Sequence, residues 1–168
     1  MHLSLQDPGL LRNQSYINGQ WVAAVGGATF AVINPANGQE LARVADHGAI
    51  QTVQAIEAAE IAMANWRKRP AKERSQVLRR WFELVMQHQE DLAQIMTAEQ
   101  GKVLAESRQE IAYAASFIEW FAEEAKRIYG DVLPGAEGLR LVVTKQPVGV
   151  VGAITPWNFP AAMITRKA

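Results

Sequence analysis

The chain has 168 residues, room for one domain but not for two large ones. Seventeen Lys and Arg balance seventeen Asp and Glu, and this zero net charge argues against a nucleic-acid surface or a polybasic membrane anchor. There is no cysteine, which excludes disulfides, thiolate metal sites and cysteine nucleophiles from this sequence.

His2, His47 and His88 are scattered and are not spaced as metal ligands. No apolar run approaches the roughly 20 residues that a membrane span needs. The opening MHLSLQDPGLLRNQ lacks a basic start, a long apolar run and a small-residue cleavage site, so a secretory signal is not expected. A cytoplasmic protein is the resulting expectation.

After a polar, irregular start, Tyr16–Val22 reads as two extended pieces around Asn18-Gly19, a dipeptide suited to a tight hairpin turn. Thr29–Ile33 is a short β-prone run stopped by the turn residues Asn34-Pro35-Ala36-Asn37-Gly38, and Leu41 to Val44 suggests another strand. From Ala49 the apolar period changes from two to about 3.6. Val53, Ile56, Met63 and Trp66 fall on one helical face, and Pro70 ends that segment. A second helix begins near Ala71, with Val77, Leu78, Trp81, Phe82 and Val85 facing inward. A third carries Leu92, Ile95 and Met96 and is closed by Gly101. The longest is expected from about Lys102 to Tyr129, roughly 40 Å, with Gly130 following its end. Trp66, Trp81 and Trp120 are expected in the core.

Leu139–Lys145 alternates like a strand. Val148-Gly-Val-Val-Gly-Ala-Ile154 is a continuous apolar run of the kind buried on both faces of a parallel sheet. Thr155–Pro160 is a loop, and a helix opens at Ala161. A strand, loop and helix opening is half of a βαβ unit, so the chain is expected to be the first part of a longer protein.

The segment 148–168 is where chemistry is expected, because α/β proteins bind ligands at the carboxyl ends of their strands. No GxGxxG, GxxxxGK[ST] or GxSxG motif is present. Asn158 is bracketed by Trp157 and Phe159 and then by Pro156 and Pro160. Such a rigid, shielded amide suits a preorganised oxyanion donor; alternatively, it satisfies its own turn. Arg166 could clamp a carboxylate with its planar fork or could simply be an exposed helix residue. Glu99 and Lys102 flank Gln100-Gly101 and read as a helix cap with a surface ion pair.

The order YINGQWV, INPANGQELARV, MTAEQGK and KQPVGVVGAITPWNFPAAMITRKA resembles the N-terminal third of aldehyde dehydrogenases over about residues 16–168. The runs AASFIEWFAEE (114–124), KRIYGD (126–131) and AAMITRK (161–167) are similar to the bacterial NADP-dependent succinate-semialdehyde branch of that family. The resemblance implies an α/β fold, truncated. Residues 1–125 would be the helix-rich start of a Rossmann-like cofactor domain and 126–146 the start of an oligomerisation hairpin. Residues 147–168 would hold the first core strand, the PWNFP loop and the next helix.

In that family a cysteine thiolate attacks the aldehyde, and a backbone N–H and the PWNFP asparagine hold the resulting oxyanion. Hydride then passes to NADP or NAD, with NADP favoured by this branch, and a glutamate activates water. The resemblance therefore implies Asn158 as a catalytic donor and Ile154, Thr155, Pro156, Trp157 and Asn158 as cofactor-binding residues. Arg166 would bind the far carboxylate of a small aldehyde. It also implies a homo-oligomer, dimer or tetramer. Some members bind a monovalent cation near carbonyls at the places of Val32 and Ile33 and a carboxylate at the place of Glu99.

The nucleophile is missing here, and the family's glutamate, ribose-contacting lysine and glycine loop fall outside this sequence, so the chain alone is expected to be inactive. Glutarate-semialdehyde or betaine-aldehyde chemistry, and a non-catalytic interaction module, are the alternatives.

Overall fold

Among the described residues two short hairpins are followed by four α-helices, a third hairpin and a fifth helix, and the longer helices supply the core. The computed structural model describes residues 3–168, so His2 lies outside the described residues. β1 (Ser15–Ile17) pairs antiparallel with β2 (Gln20–Val22) around Asn18 and Gly19, whose φ angles are +50° and +79°. β3 (Thr29–Ile33) pairs antiparallel with β4 (Glu40–Ala45), and the register slips between Val32 and Ile33. In the intervening turn Asn34 accepts the Ala36 N–H at 2.9 Å, an Asx turn that satisfies a buried side chain.

α1 (Ala49–Trp66) starts where Gln51 reaches back to accept the Gly48 N–H at 3.1 Å. Its apolar face is largely open. Val53, Ile56 and Trp66 are exposed, and among the described elements α1 meets chiefly β1.

α2 (Ala71–Gln87), α3 (Gln89–Gln100) and α4 (Leu104–Glu124) form the body. The buried stripe of α4 is Ser107, Glu110, Ile111, Ala114, Ala115, Ile118 and Ala122, and its small side chains let α2 and α3 approach closely. Ala93, Met96 and Ile111 form the innermost cluster, with Val85, Leu92, Leu104 and Ala161 around them. Trp120 falls off that stripe and is 63% exposed, Trp66 is exposed and Trp81 is half-buried, so the tryptophans are not the core residues. The irregular start is tied down by Asp91, whose buried carboxylate accepts the N–H groups of Gln6 and Asp7 at 2.9 and 2.8 Å.

α4 ends at Glu124 rather than near Tyr129. Lys126 and Arg127 fold back onto Glu123 and Glu124 at 2.8 and 2.7 Å, and the chain turns into β5 (Asp131–Pro134). Gly130 does not cap the helix. It lies against the hairpin, where a Cβ would collide with the Val143 carbonyl oxygen. β5 pairs antiparallel with β6 (Arg140–Val143), and both strands are exposed throughout.

Residues 144–159 have no helix or strand, so the expected buried strand at Val148–Ile154 is absent. Val148, Val151 and Ile154 are 93%, 68% and 99% exposed. The physical reason is pairing. A strand buried on both faces needs neighbours for its N–H and C=O groups, and no described strand lies beside this segment. α5 (Pro160–Thr165) follows and packs on α4. No described helix is long and apolar enough to cross a membrane.

Candidate active site

The turn after α3 organises the site. Gly101 closes that helix at φ +77°, a left-handed conformation that suits glycine, and a Cβ there would stand 2.8 Å from Cγ of Pro35. The reversal aims both neighbours of Gly101 at the PWNFP loop. Gln100 Nε2 donates to the Trp157 carbonyl. Lys102 Nζ donates to the Asn158 carbonyl at 3.0 Å and stands 4.5 Å from the centre of the Phe159 ring.

Lys102 also pairs with Glu110, and their side chains are only 14% and 1% exposed. The other Glu110 oxygen accepts the Ala161 N–H at 3.0 Å and, more weakly, the Ala162 N–H at 3.5 Å, which satisfies the first turn of α5. The expected surface pair of Glu99 with Lys102 is therefore corrected. Beyond the left-handed turn the lysine runs toward α4 and the loop, away from the carboxylate that precedes it. Sequence reasoning missed Glu110. A visible signal existed: a carboxylate stands among Ser107, Ile111 and Ala114, on the face that otherwise reads as core.

Asn158 is exposed, and its side-chain amide has no hydrogen-bond partner among the described residues. Unlike Asn34, it does not close its own turn. Ile154, Pro156 and Trp157 are exposed and Thr155 is half-buried.

Trp157 lines a cavity of about 460 Å³ together with Val32, Glu99, Gln100, Ile111 and Pro160. Glu99 keeps an exposed surface, yet desolvation by its surroundings raises its carboxyl above the usual value. Gln100 Oε1 is buried and has no hydrogen-bond partner among the described residues.

Arg166 lies elsewhere. It is exposed one residue past α5, with its guanidinium 5.8 Å from the Phe117 ring centre and Nη2 3.2 Å from the Met163 sulfur. It lines a separate cavity of about 440 Å³ with Trp81, Phe121 and Lys145, and it makes no ion pair among the described residues. The structure thus brings Trp157 and Glu99 together in one cavity and places Arg166 in another.

The chain is 61% identical over 167 residues to a glutarate-semialdehyde dehydrogenase of Pseudomonas putida, covering 99% of this chain and 35% of that protein. It is 59% identical over 167 residues to the NADP(+) succinate-semialdehyde dehydrogenase of Escherichia coli, with the same coverage. The crystal structure of succinate-semialdehyde dehydrogenase from Burkholderia pseudomallei superposes with a TM-score of 0.95 at 60% identity, over 98% of this chain and 34% of that one. The chain therefore spans about a third of the length of the curated relatives it matches. The model of the aldehyde dehydrogenase family matches residues 21–168, and the chain belongs to that family.

Proposed function

We propose that this chain supplies the oxyanion-donor loop and part of the substrate and cofactor sites of a cytoplasmic NADP-dependent semialdehyde dehydrogenase acting on succinate semialdehyde. The observation that carries the reading is the PWNFP loop. Gln100 and Lys102 hold its Trp157 and Asn158 carbonyls and Glu110 holds the start of α5 that follows, while the Asn158 amide has no partner among the described residues. A donor fixed before reaction costs no reorganisation when negative charge develops on the aldehyde oxygen. The nucleophile and the water-activating carboxylate come from outside this sequence, so the chain alone does not oxidise aldehydes.

Arg166 binds the far carboxylate of the substrate. In support, its guanidinium has no carboxylate partner among the described residues and stands at a cavity with Lys145 and an apolar wall of Trp81 and Phe121. The relatives named for glutarate and succinate semialdehyde act on aldehydes that carry such a carboxylate. The residues Ile154–Asn158, exposed apart from the half-buried Thr155, contact the dinucleotide in this reading, and the NADP(+) in the name of the Escherichia coli relative favours the phosphorylated form. When bound, the nicotinamide supplies a hydride acceptor.

The carbonyls near Val32 and Ile33, the orphan oxygen of Gln100 and the carboxylate of Glu99 are hard oxygen donors suited to a monovalent cation. The exposed β5–β6 hairpin suits pairing with another subunit in a dimer or tetramer.

The test compares kcat/KM for succinate semialdehyde and butanal in the full-length protein and in its Arg166→Ala variant. The wild type should prefer the carboxylated aldehyde, and the substitution should erase that preference while sparing butanal. Equal losses on both substrates would make Arg166 structural. Absence of any preference in the wild type would remove the semialdehyde assignment.

A further inference from the structure

We infer that the buried Lys102–Glu110 ion pair is a positioning device for Asn158, fixing the loop on both sides of the amide so that its reach to the substrate oxygen is set before binding. The inference rests on the reading of Asn158 as an oxyanion donor.

The pair occupies a place where apolar packing would serve stability as well. A buried ion pair gains little over apolar side chains of the same volume, because desolvation offsets the attraction. What these two residues add is direction. The ammonium of Lys102 is shared among the Glu110 carboxylate, the Asn158 carbonyl and the face of the Phe159 ring. The carboxylate of Glu110 divides its oxygens between that ammonium and the amides of Ala161 and Ala162.

One ion pair therefore grips the main chain immediately after the Asn158 side chain and again where α5 begins. Gln100 holds the preceding carbonyl at Trp157. With the backbone tethered at these points, the side-chain torsions of Asn158 are the main freedom left to the donor. Lys102 and Glu110 touch neither substrate nor cofactor in this scheme, so they act through Asn158 alone.

A displacement of about 1 Å at a reacting group costs on the order of 100-fold in rate. In the full-length protein, Lys102→Met should lower kcat by about that factor, while the aldehyde KM and the Kd of NADP move less than about threefold. Lys102→Arg, which keeps the charge, should hold kcat within about tenfold of wild type. The decisive variant is Lys102→Met combined with Asn158→Ala. A positioning role predicts that it is no slower than Asn158→Ala alone, since there is no donor left to misplace. Multiplying losses would overturn the inference, as would a folded Lys102→Met protein with kcat near wild type.

Amide exchange gives a readout that does not depend on turnover. In Glu110→Ala the amides of Ala161 and Ala162 should exchange at least about tenfold faster, with α2 and the centre of α4 unchanged. Unchanged exchange at Ala161 and Ala162, or uniform loss of protection across α2 and α4, counts against the positioning role. A wild-type protein that oxidises no aldehyde removes the functional reading instead, and the exchange result then decides separately whether the pair holds the loop.

Discussion

Lys102 Nζ stands 3.0 Å from the carbonyl oxygen of Asn158 although 56 residues separate them in sequence. The contact holds Asn158 by its main chain, and its side-chain amide is unpaired among the described residues. An exposed, unpaired amide contributes little to folding, so its removal should separate activity from stability. Asn158→Ala is expected to lower kcat by about 10²–10³-fold, or roughly 3–4 kcal/mol of transition-state stabilisation. The stability of the chain should stay within about 0.5 kcal/mol. Steady-state kinetics of the full-length protein and urea unfolding of both proteins check the two halves. Undiminished kcat would remove Asn158 from the oxyanion site.

Local chemistry explains why most elements could be read from sequence. Asn18-Gly19 turns β1 into β2, Pro70 separates α1 from α2, and Gly101 closes α3, all as their residue types require. The PWNFP loop and the start of α5 fall where two prolines put them. The failures are long-range. The run Val148–Ile154 has the composition of a buried strand, but pairing is a property of neighbours, and none is described beside it. Lys102 has Glu99 three residues before it and Glu110 eight after, and only the turn at Gly101 decides between them. The same holds for the tryptophans. Their hydrophobicity suggests a core, but α4 uses small residues at its interface and leaves Trp120 outside.

Gly101 makes a stability prediction with an internal control. Gly101→Ala places a Cβ at positive φ and against Pro35 Cγ. The expected cost is about 1–3 kcal/mol, read as a lower urea midpoint with an unchanged slope. Gly138 also has positive φ, but nothing lies within 4 Å of a Cβ there. Gly138→Ala should therefore cost only the backbone part, about 1–2 kcal/mol at most. If Gly138→Ala is as costly as Gly101→Ala, the contact with Pro35 carries no energy.

Asp91 should give the N-terminal segment a pH dependence. The N–H groups of Gln6 first, and then of Asp7, stabilise its ionised form and hold its pKa below the usual value. A depressed carboxyl contributes stability that is complete above the unfolded pKa of about 3.9 and is lost as pH falls through the lower folded value. The tether should therefore persist near neutrality and release below about pH 4. In an NMR titration the Gln6 amide resonance should stay fixed until that range and then move with a midpoint below 3.9, the usual aspartate value. In Asp91→Asn the transition should disappear. A midpoint at or above the usual aspartate value would contradict the geometry.

The exposed run Val148–Ile154 should dominate the solution behaviour of the isolated 168-residue chain. Val148 and Ile154 are almost completely open to solvent, and the main chain between them is outside any sheet. Unpaired N–H and C=O groups beside branched apolar side chains form a template for intermolecular strand pairing. Light scattering should therefore show concentration-dependent association at micromolar chain. Replacing Val148 and Val151 with lysine should suppress it, because each charge would have to be buried or crowded against its copy in a paired assembly. The substitutions lie away from the core around Met96 and Ile111, so helix content should be unchanged by circular dichroism. A wild-type chain that remains monodisperse across that range would show that the run is covered in solution. A lysine variant that associates as strongly as wild type would move the contact to another apolar surface, such as the uncovered face of α1.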